Sequence, residues 1–309
     1  MQKSGLIQKV CSIVTGIACA VSADEKWEKI RVQEGQHCTT AVACDVNNDG
    51  LADVITSSNN KTRLYVAPDW TEHILYEGVG CIHSELIDAD GDGDLDWVGA
   101  RYNPGLIIWL ECPEKPLEQK WTMRLVDDQV HGIHGLLTGD VDRKGKLDLL
   151  ATSAQPLPPF PDSLVWYSIP DDVKQAERWE RHVFADRDAP GLTHYLGVGD
   201  INGDGRPDAA TGAKGGQQDK SAQGEYFAWW EAPHDPTKPW KKHLVSDRQP
   251  GATNIHPADL NGDGKTDLLA SRGHGKGVVW FENPTWKEHT IQATIQEPHC
   301  LVVLDLDDD

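Results

Sequence analysis

A nine-residue Asp-rich turn recurs along this chain, and its recurrence limits the fold more than any other feature. Asp45, Asn47, Asp49 and Asp53 stand at its first, third, fifth and ninth positions, with Gly50 at the sixth. Asp88, Asp90, Asp92 and Asp96 repeat the pattern around Gly93, and Asp200, Asn202, Asp204 and Asp208 around Gly205. Asp259, Asn261, Asp263 and Asp267 repeat it around Gly264. A worn copy, Asp140, Asp142 and Asp148, has Lys144 at the fifth position. These side chains, with a backbone carbonyl at the seventh position, supply about six or seven oxygens, which suits Ca2+ better than Mg2+. About four structural Ca2+ sites are expected. The Lys144 turn is expected to be empty, its ammonium replacing part of the ion's charge.

A helix–loop–helix calcium site is excluded. It requires a bidentate Glu at the twelfth position, where this chain has Thr56, Gly99, Ala151, Thr211 and Ala270. The flanks are short, partly apolar and bounded by turn residues, so each turn joins two strands.

The turns begin at Asp45, Asp88, Asp140, Asp200 and Asp259, giving repeats of 43 to 60 residues. Other features recur in phase. An apolar run follows each turn. Next comes a run that usually carries Trp and ends in Pro, such as LIIWLECP (106–113) and VVWFENP (278–284). Then a Trp precedes His or Arg by three residues: Trp70/His73, Trp121/Arg124, Trp179/His182, Trp240/His243 and Trp286/His289. A last apolar run leads into the next turn. Four strands per repeat of this length predict an all-β fold, a β-propeller of four-stranded blades with the Ca turns between first and second strands. The run before the turn is the innermost strand and the Trp-x-x-His run the outermost, its Trp and His packing between blades. Five complete blades are present. Trp27–Val32 matches an outermost strand without a blade of its own, and Asp305, Asp307 and Asp309 begin a sixth turn. The intact protein is therefore expected to continue to about seven blades; a closed five-bladed ring is the alternative.

The first 23 residues read as a signal peptide. Lys3 and Lys9 precede an apolar stretch from Val10 to Val21, and Val21-Ser22-Ala23 suits cleavage after Ala23. The stretch is too short to span a bilayer. Lipoprotein anchoring at Cys19 is less favoured, because Gly16-Ile17-Ala18 lacks the expected Leu. Residues 24–309 form the propeller, secreted or periplasmic, where calcium is plentiful. The formal charge of −20 argues against nucleic acid or an anionic membrane surface as partner, and no segment spans a membrane. Cys38 and Cys81 each lie seven residues before a turn, so a bridge between them is weighed against buried free thiols.

The turns and their strands resemble FG-GAP/VCBS repeats, the calcium-bearing blades of integrin-alpha-type propellers, over about residues 27–309. That family contains adhesins, lectin-like binders and enzymes, so the resemblance implies a fold and calcium rather than one activity. The Trp-x-x-His strand and the Trp-x-Glu-x-Pro ending also resemble, more weakly, the propeller module of aldos-2-ulose dehydratase-like proteins, whose cupin domains are missing here.

Function is sought away from the turns, where no nucleophile, acid or base recurs. His83 precedes its turn by five residues, His134, His194 and His299 by six, and His256 by three. At about 3.3 Å per residue, six residues place a ring about 20 Å from the turn, at the opposite mouth of the channel. Hairpins between second and third strands reach the same mouth with Arg101, Tyr102, Lys214, Arg272 and His274, and Tyr195 follows His194. Histidines supply bases or metal ligands, so an additional cation in this funnel is a further candidate. Arg and Lys bind carboxylates or polarise a carbonyl. His83, His134, His194, His256, Tyr102 and Tyr195 are the candidate catalytic groups; Arg101, Lys214, Arg272 and His274 are the candidate ligand-binding groups. Inheritance from a common repeat explains such histidines equally well. The leading expectation is a funnel that binds a glycan, small sugar or extracellular protein. The alternatives are a sugar dehydratase or polysaccharide lyase working by β-elimination, and a purely structural adhesion module. GxSxG, HExxH and phosphate-binding glycine motifs are absent from the sequence, which gives hydrolase and nucleotide readings no support.

Overall fold

The computed structural model describes residues 29–34, 37–216 and 224–304. The proposed signal peptide, Trp27 and the Asp305–Asp309 segment lie outside them. The described residues form five four-stranded antiparallel sheets and no helices. The first is β1 (Thr40–Cys44), β2 (Asp53–Ser58), β3 (Lys61–Val66) and β4 (Thr71–Glu77). The second is β5 (His83–Ile87), β6 (Asp96–Arg101), β7 (Leu106–Glu111) and β8 (Thr122–Asp127). The third is β9 (Leu136–Gly139), β10 (Asp148–Ser153), β11 (Ser163–Ser168) and β12 (Glu180–Ala185). The fourth is β13 (Thr193–Gly199), β14 (Asp208–Lys214), β15 (Glu225–Glu231) and β16 (Lys241–Asp247). The fifth is β17 (Asn254–Ala258), β18 (Asp267–Ser271), β19 (Lys276–Glu282) and β20 (Lys287–Gln296).

Within each sheet the strands pair in chain order. The first strands β1, β5, β9, β13 and β17 pack against one another in sequence, which makes them the innermost layer. The Asp-rich turns lie between first and second strands, and the Trp-x-x-His runs form the outermost strands, as the spacing predicts. Lys29–Val32, expected to add a closing strand, joins no sheet, and neither do residues 301–304 before the sixth turn.

The ninth-position Asp of each turn is its anchor. Asp53, Asp96, Asp208 and Asp267 are at most 1 % exposed. One carboxylate oxygen accepts the N–H of the turn's second residue: Val46 to Asp53 at 3.1 Å and Ile201 to Asp208 at 3.1 Å. The other accepts an N–H from the end of the third strand: Ala67 to Asp53 at 2.8 Å, Cys112 to Asp96 at 2.7 Å and Ala232 to Asp208 at 2.8 Å. The turn is thereby stitched across its own sheet. In the worn copy, Asp148 uses one oxygen for the N–H groups of both Val141 and Asp142.

The Trp-x-x-His motif divides its work differently from the expectation. Trp121, Trp179, Trp240 and Trp286 pack against the preceding blade, as expected: Trp240 lies 4.3 Å from Phe184 of the preceding blade, and its backbone N–H donates to the Phe184 carbonyl at 2.8 Å. The His instead stacks within its own blade, on the Trp directly opposite in the third strand. His182 lies 4.2 Å from Trp166, His243 4.2 Å from Trp229 and His289 4.3 Å from Trp280. Antiparallel registry sets these pairs face to face. The ring nitrogens of His243 and His289 then meet Glu231 at 2.8 Å and Glu282 at 2.7 Å. Arg124 takes the same place over Trp109 and pairs with Glu111.

The Cys38–Cys81 bridge does not form. Cys38 is exposed, its thiol on the Thr40 carbonyl, whereas Cys81 is buried in the core shared by the first two blades. Cys44, Cys112 and Cys300 are also free thiols.

Replacing Asp208 by Ala leaves the Ile201 and Ala232 N–H groups without their partner. With calcium chelated, Asp208→Ala is expected to lower unfolding stability by roughly 2–5 kcal/mol, read from the urea midpoint. An unchanged midpoint would show that the anchor is dispensable.

Candidate functional site

The Asp-rich turns fit a cation by the chemistry of their donors. Carboxylate oxygens of Asp88, Asp90 and Asp92 lie within 4.8 Å of one another, as do those of Asp140, Asp142 and Asp148. Burial pushes the Asp96 carboxyl up to about 7 and those of Asp148 and Asp208 up to about 6, against the pull of their backbone hydrogen bonds. Such crowded acidic groups favour a bound positive charge. Protein cations already meet part of this demand. Lys174, from the neighbouring blade, pairs with Asp90 at 2.6 Å and Glu111 at 2.9 Å. Lys144 pairs with Asp142 at 2.6 Å, while Asp140 Oδ1 is buried without a hydrogen-bond partner. Lysine at the fifth position therefore occupies one oxygen of its turn and leaves another unmet.

The opposite ends of the inner strands carry a continuous cluster of rings. His83 Nε2 lies 3.3 Å from His134 Nδ1. His134 stacks on His194 with ring centres 3.9 Å apart. His194 Nε2 lies 2.9 Å from His274 Nε2, and His299 Nε2 lies 3.1 Å from the same atom. The Tyr195 hydroxyl lies 3.0 Å from His299 Nδ1 and its ring is edge-on to His83 at 4.7 Å. Tyr102 is edge-on to His134 at 5.6 Å. A cleft of about 360 Å³ opens beside them, lined by Tyr102, His134, Ala154, Leu192, His194 and Lys214.

Local devices aim these side chains. Strand alternation should send His194 and Tyr195 to opposite faces. The β13–β14 registry shifts between Thr193 and Leu196, and this irregularity lets both rings reach the cluster. His134 is held just before β9 by its N–H on Thr152 Oγ1 at 2.9 Å. Gly135 must lack a side chain, because a Cβ there would sit 2.4 Å from the His194 carbonyl. At Gly273 a Cβ would meet Thr253 Oγ1 at 2.6 Å and His299 Cα at 3.0 Å, so glycine lets the His274 hairpin close on His299. The His299 segment is tied to the fifth blade by Asn254 on the His299 carbonyl at 2.7 Å and Ser271 on the Pro298 carbonyl at 2.8 Å.

Other predicted site residues are used elsewhere. Arg272 is committed to Gln249 at 2.8 Å and Glu288 at 2.9 Å, bracing its blade toward the outer strand. Arg101 donates to the Asn103 carbonyl of its own hairpin at 3.2 Å. His256 lies farther along its inner strand, with Nε2 buried and unpartnered. Glu85 was missed by the sequence reading, although its position two residues after His83 places it on the same face of β5. His299 was noted for its spacing but not counted among the converging groups.

Burial sets the protonation of this mouth. It pushes His83 down to about 3, with nearby His134 and His299 adding to the effect. It also pushes His134 and His274 down to about 4, with Lys214 contributing. His194 and His299 are lowered for the same reasons, and burial lowers Lys214. These rings are neutral and can accept a proton, share a lone pair with a metal, or stack on a ligand. Burial moves Glu85 the other way, from the ordinary 4.5 to about 8.

Glu85 therefore keeps its proton in the folded protein where the unfolded chain has lost it. Its contribution disfavours folding progressively as pH rises from 4.5 through about 8. His83 acts at the other end: below its ordinary 6.5 the unfolded chain takes up a proton that the folded protein refuses until about 3. Glu85→Gln is expected to raise the melting temperature near about pH 9 and leave it unchanged near about pH 4. Equal shifts at both pH values would contradict a half-buried, proton-retaining Glu85.

Comparison with known proteins agrees with this architecture. The family profile for FG-GAP-like repeats matches residues 45–99 and 200–270. None of the curated proteins matches the sequence. Among solved structures, an Agrocybe aegerita lectin that recognises non-reducing terminal N-acetylglucosamine superposes with a TM-score of 0.52 at 14% identity, over 82% of this chain and 66% of the lectin. An auxiliary nutrient binding protein from Bacteroides thetaiotaomicron gives 0.48 at 10% identity, over 77% of this chain and 53% of that one. The V. cholerae biofilm matrix protein Bap1 gives 0.45 at 16% identity, over 80% of this chain and 38% of that one. This chain thus spans about two thirds of the lectin and about half of the nutrient binding protein. Five four-stranded sheets in chain order and the profile matches together show FG-GAP-like repeats at residues 45–99 and 200–270 within a β-propeller-like fold.

Proposed function

We propose that this protein is an exported, calcium-stabilised propeller that binds a carbohydrate at the histidine- and tyrosine-lined mouth. The observation that carries this reading is the convergence of Tyr102, His134, His194 and Lys214 on one cleft. Flat rings with polar edges suit sugars, which present apolar C–H faces ringed by hydroxyls. Lys214 adds a donor for a hydroxyl or a carboxylate. The lectin that shares this fold, itself a binder of N-acetylglucosamine, supports the same class of ligand. In this reading the calcium turns have a separate task. Bound ions neutralise the crowded carboxylates at the far ends of the inner strands and hold the blades that present the mouth. Export through residues 1–23 would deliver the chain to calcium-rich surroundings.

A β-elimination reading draws on one specific contact, the Tyr195 hydroxyl 3.0 Å from His299 Nδ1. A neutral His299 beside a phenol is a proton-relay pair able to serve an acidic C–H next to a carboxylate or carbonyl.

Titration against panels of neutral and uronic oligosaccharides tests both readings. His134→Ala is expected to weaken glycan binding by about tenfold or more while preserving the fold, consistent with loss of roughly 1.4 kcal/mol of contact. Unsaturated sugar products that vanish in Tyr195→Phe would replace binding with catalysis. Retention of wild-type glycan affinity by His134→Ala would remove the mouth from the proposal.

Calcium is tested separately. Chelation is expected to lower the melting temperature and calcium to restore it, each filled turn adding about 2.7 kcal/mol at a hundredfold excess over Kd. Lys144→Asp is expected to add one bound ion by elemental analysis. An unchanged ion count would mean that the third turn is closed for a reason other than its lysine.

A further inference from the structure

We infer that His194, His274 and His299 form a site for one divalent transition-metal ion of the zinc class, bound through their three Nε2 atoms with a coordination position open to the cleft. The ion would share the mouth assigned above to a glycan, and the inference rests on that mouth being a ligand site. Its test reads the metal without any sugar.

The geometry of the nitrogens carries the argument. His274 Nε2 lies 2.9 Å from His194 Nε2 and 3.1 Å from His299 Nε2. The ligand nitrogens of all three histidines lie within 4.8 Å of one another. Tetrahedral zinc with Zn–N bonds of about 2.0–2.1 Å separates its nitrogens by about 3.3 Å. The two printed separations fall within a few tenths of an ångström of that spacing, and the third lies within 4.8 Å.

The other ring nitrogens are already engaged. His194 Nδ1 lies 2.9 Å from the Leu192 carbonyl. A carbonyl only accepts, so Nδ1 carries the hydrogen and neutral His194 presents a bare lone pair at Nε2. His299 Nδ1 is held by the Tyr195 hydroxyl at 3.0 Å. Outer partners on the second nitrogen are how proteins orient imidazoles toward a metal.

Hydrogen bonding alone does not satisfy this trio. An imidazole Nε2 has one in-plane position, occupied by either a hydrogen or a lone pair. If His274 Nε2 carries the hydrogen, it can point squarely at only one neighbour. If it is bare, its lone pair meets the lone pair of His194. One contact in the neutral cluster therefore stays mismatched, and a single cation at the centre resolves it by taking all three lone pairs. Nitrogen donors select a transition metal over calcium or magnesium.

Access is also built in. His194 is buried, His299 half-buried and His274 exposed, so the trio is open on one side. Lys214 lines the adjoining cleft. Its positive charge opposes the ion when nothing else is bound, and it is well placed to hold the anionic part of a ligand whose oxygen fills the open position.

The test uses the full-length protein, stripped with chelator and returned to excess calcium so that the Asp-rich turns are filled. Titration with Zn2+ by calorimetry and Co2+ by visible absorption is expected to show one tight equivalent, with the intense bands of four-coordinate cobalt. His274 is on an exposed hairpin, so His274→Ala should fold. It is expected to weaken Co2+ binding by at least about a hundredfold, more than loss of an outer partner costs. Tyr195→Phe is expected to weaken it about tenfold. His256→Ala, outside the trio, should bind as wild type. Wild-type binding no tighter than that of His274→Ala would overturn the inference, as would loss of binding in His256→Ala. Metal binding without glycan binding would sink the glycan reading and leave the site standing; glycan binding without metal binding would do the reverse.

Discussion

The buried ninth-position carboxylate is the constraint on which four of the five blades depend. Asp53, Asp96, Asp208 and Asp267 each bridge the start of their turn and the end of the third strand. A turn that departs from a sheet leaves backbone N–H groups that must find partners once buried. One ionised or protonated carboxyl meets both needs in these repeats. The remaining acidic side chains of the turn then crowd around it at the surface, and their mutual repulsion creates the demand for a cation. Anchoring and the proposed metal affinity would thus be two consequences of the same acidic spacing.

The two sets of histidines sit at different radii of the blades. On the outer strands, His243 and His289 stack on Trp229 and Trp280 and their Nε2 atoms meet Glu231 and Glu282. At the mouth, His134, His194, His274 and His299 meet one another instead of carboxylates. A histidine paired with Glu is satisfied by its blade. A histidine facing other neutral histidines keeps chemistry in reserve, and this difference in partner is what singles out the mouth as the proposed ligand site.

Much of this was legible along the chain. The spacing of the turns and the recurring Trp positions specify four strands per repeat, their order and which strand is innermost. Counting residues back from Asp88, Asp140 and Asp200 places His83, His134 and His194 at one mouth. Less could be read about pairs. Whether His182 packs between blades or on Trp166 depends on cross-strand registry, which the repeat period does not specify. Cys38 and Cys81 share a spacing yet differ in burial, because spacing is blind to which face of the sheet a residue near a strand start takes. Arg272 belonged to the mouth by its hairpin but is drawn outward by Gln249 and Glu288.

By itself the sequence determined the repeat, the acidic turns, the strand order and the end of the blades to which the histidines belong. These follow from local rules: oxygen spacing around a turn, alternation along a strand, and about 3.3 Å of rise per residue. The tertiary structure alone decided which histidines touch. The registry shift beside His194 and Tyr195 brings two successive side chains to one cluster, against the alternation a regular strand would impose. The close approach of Gly273 to His299 brings together residues from a hairpin and from the segment after β20. Both outcomes depend on strand pairing and backbone approach in three dimensions, which no local pattern encodes.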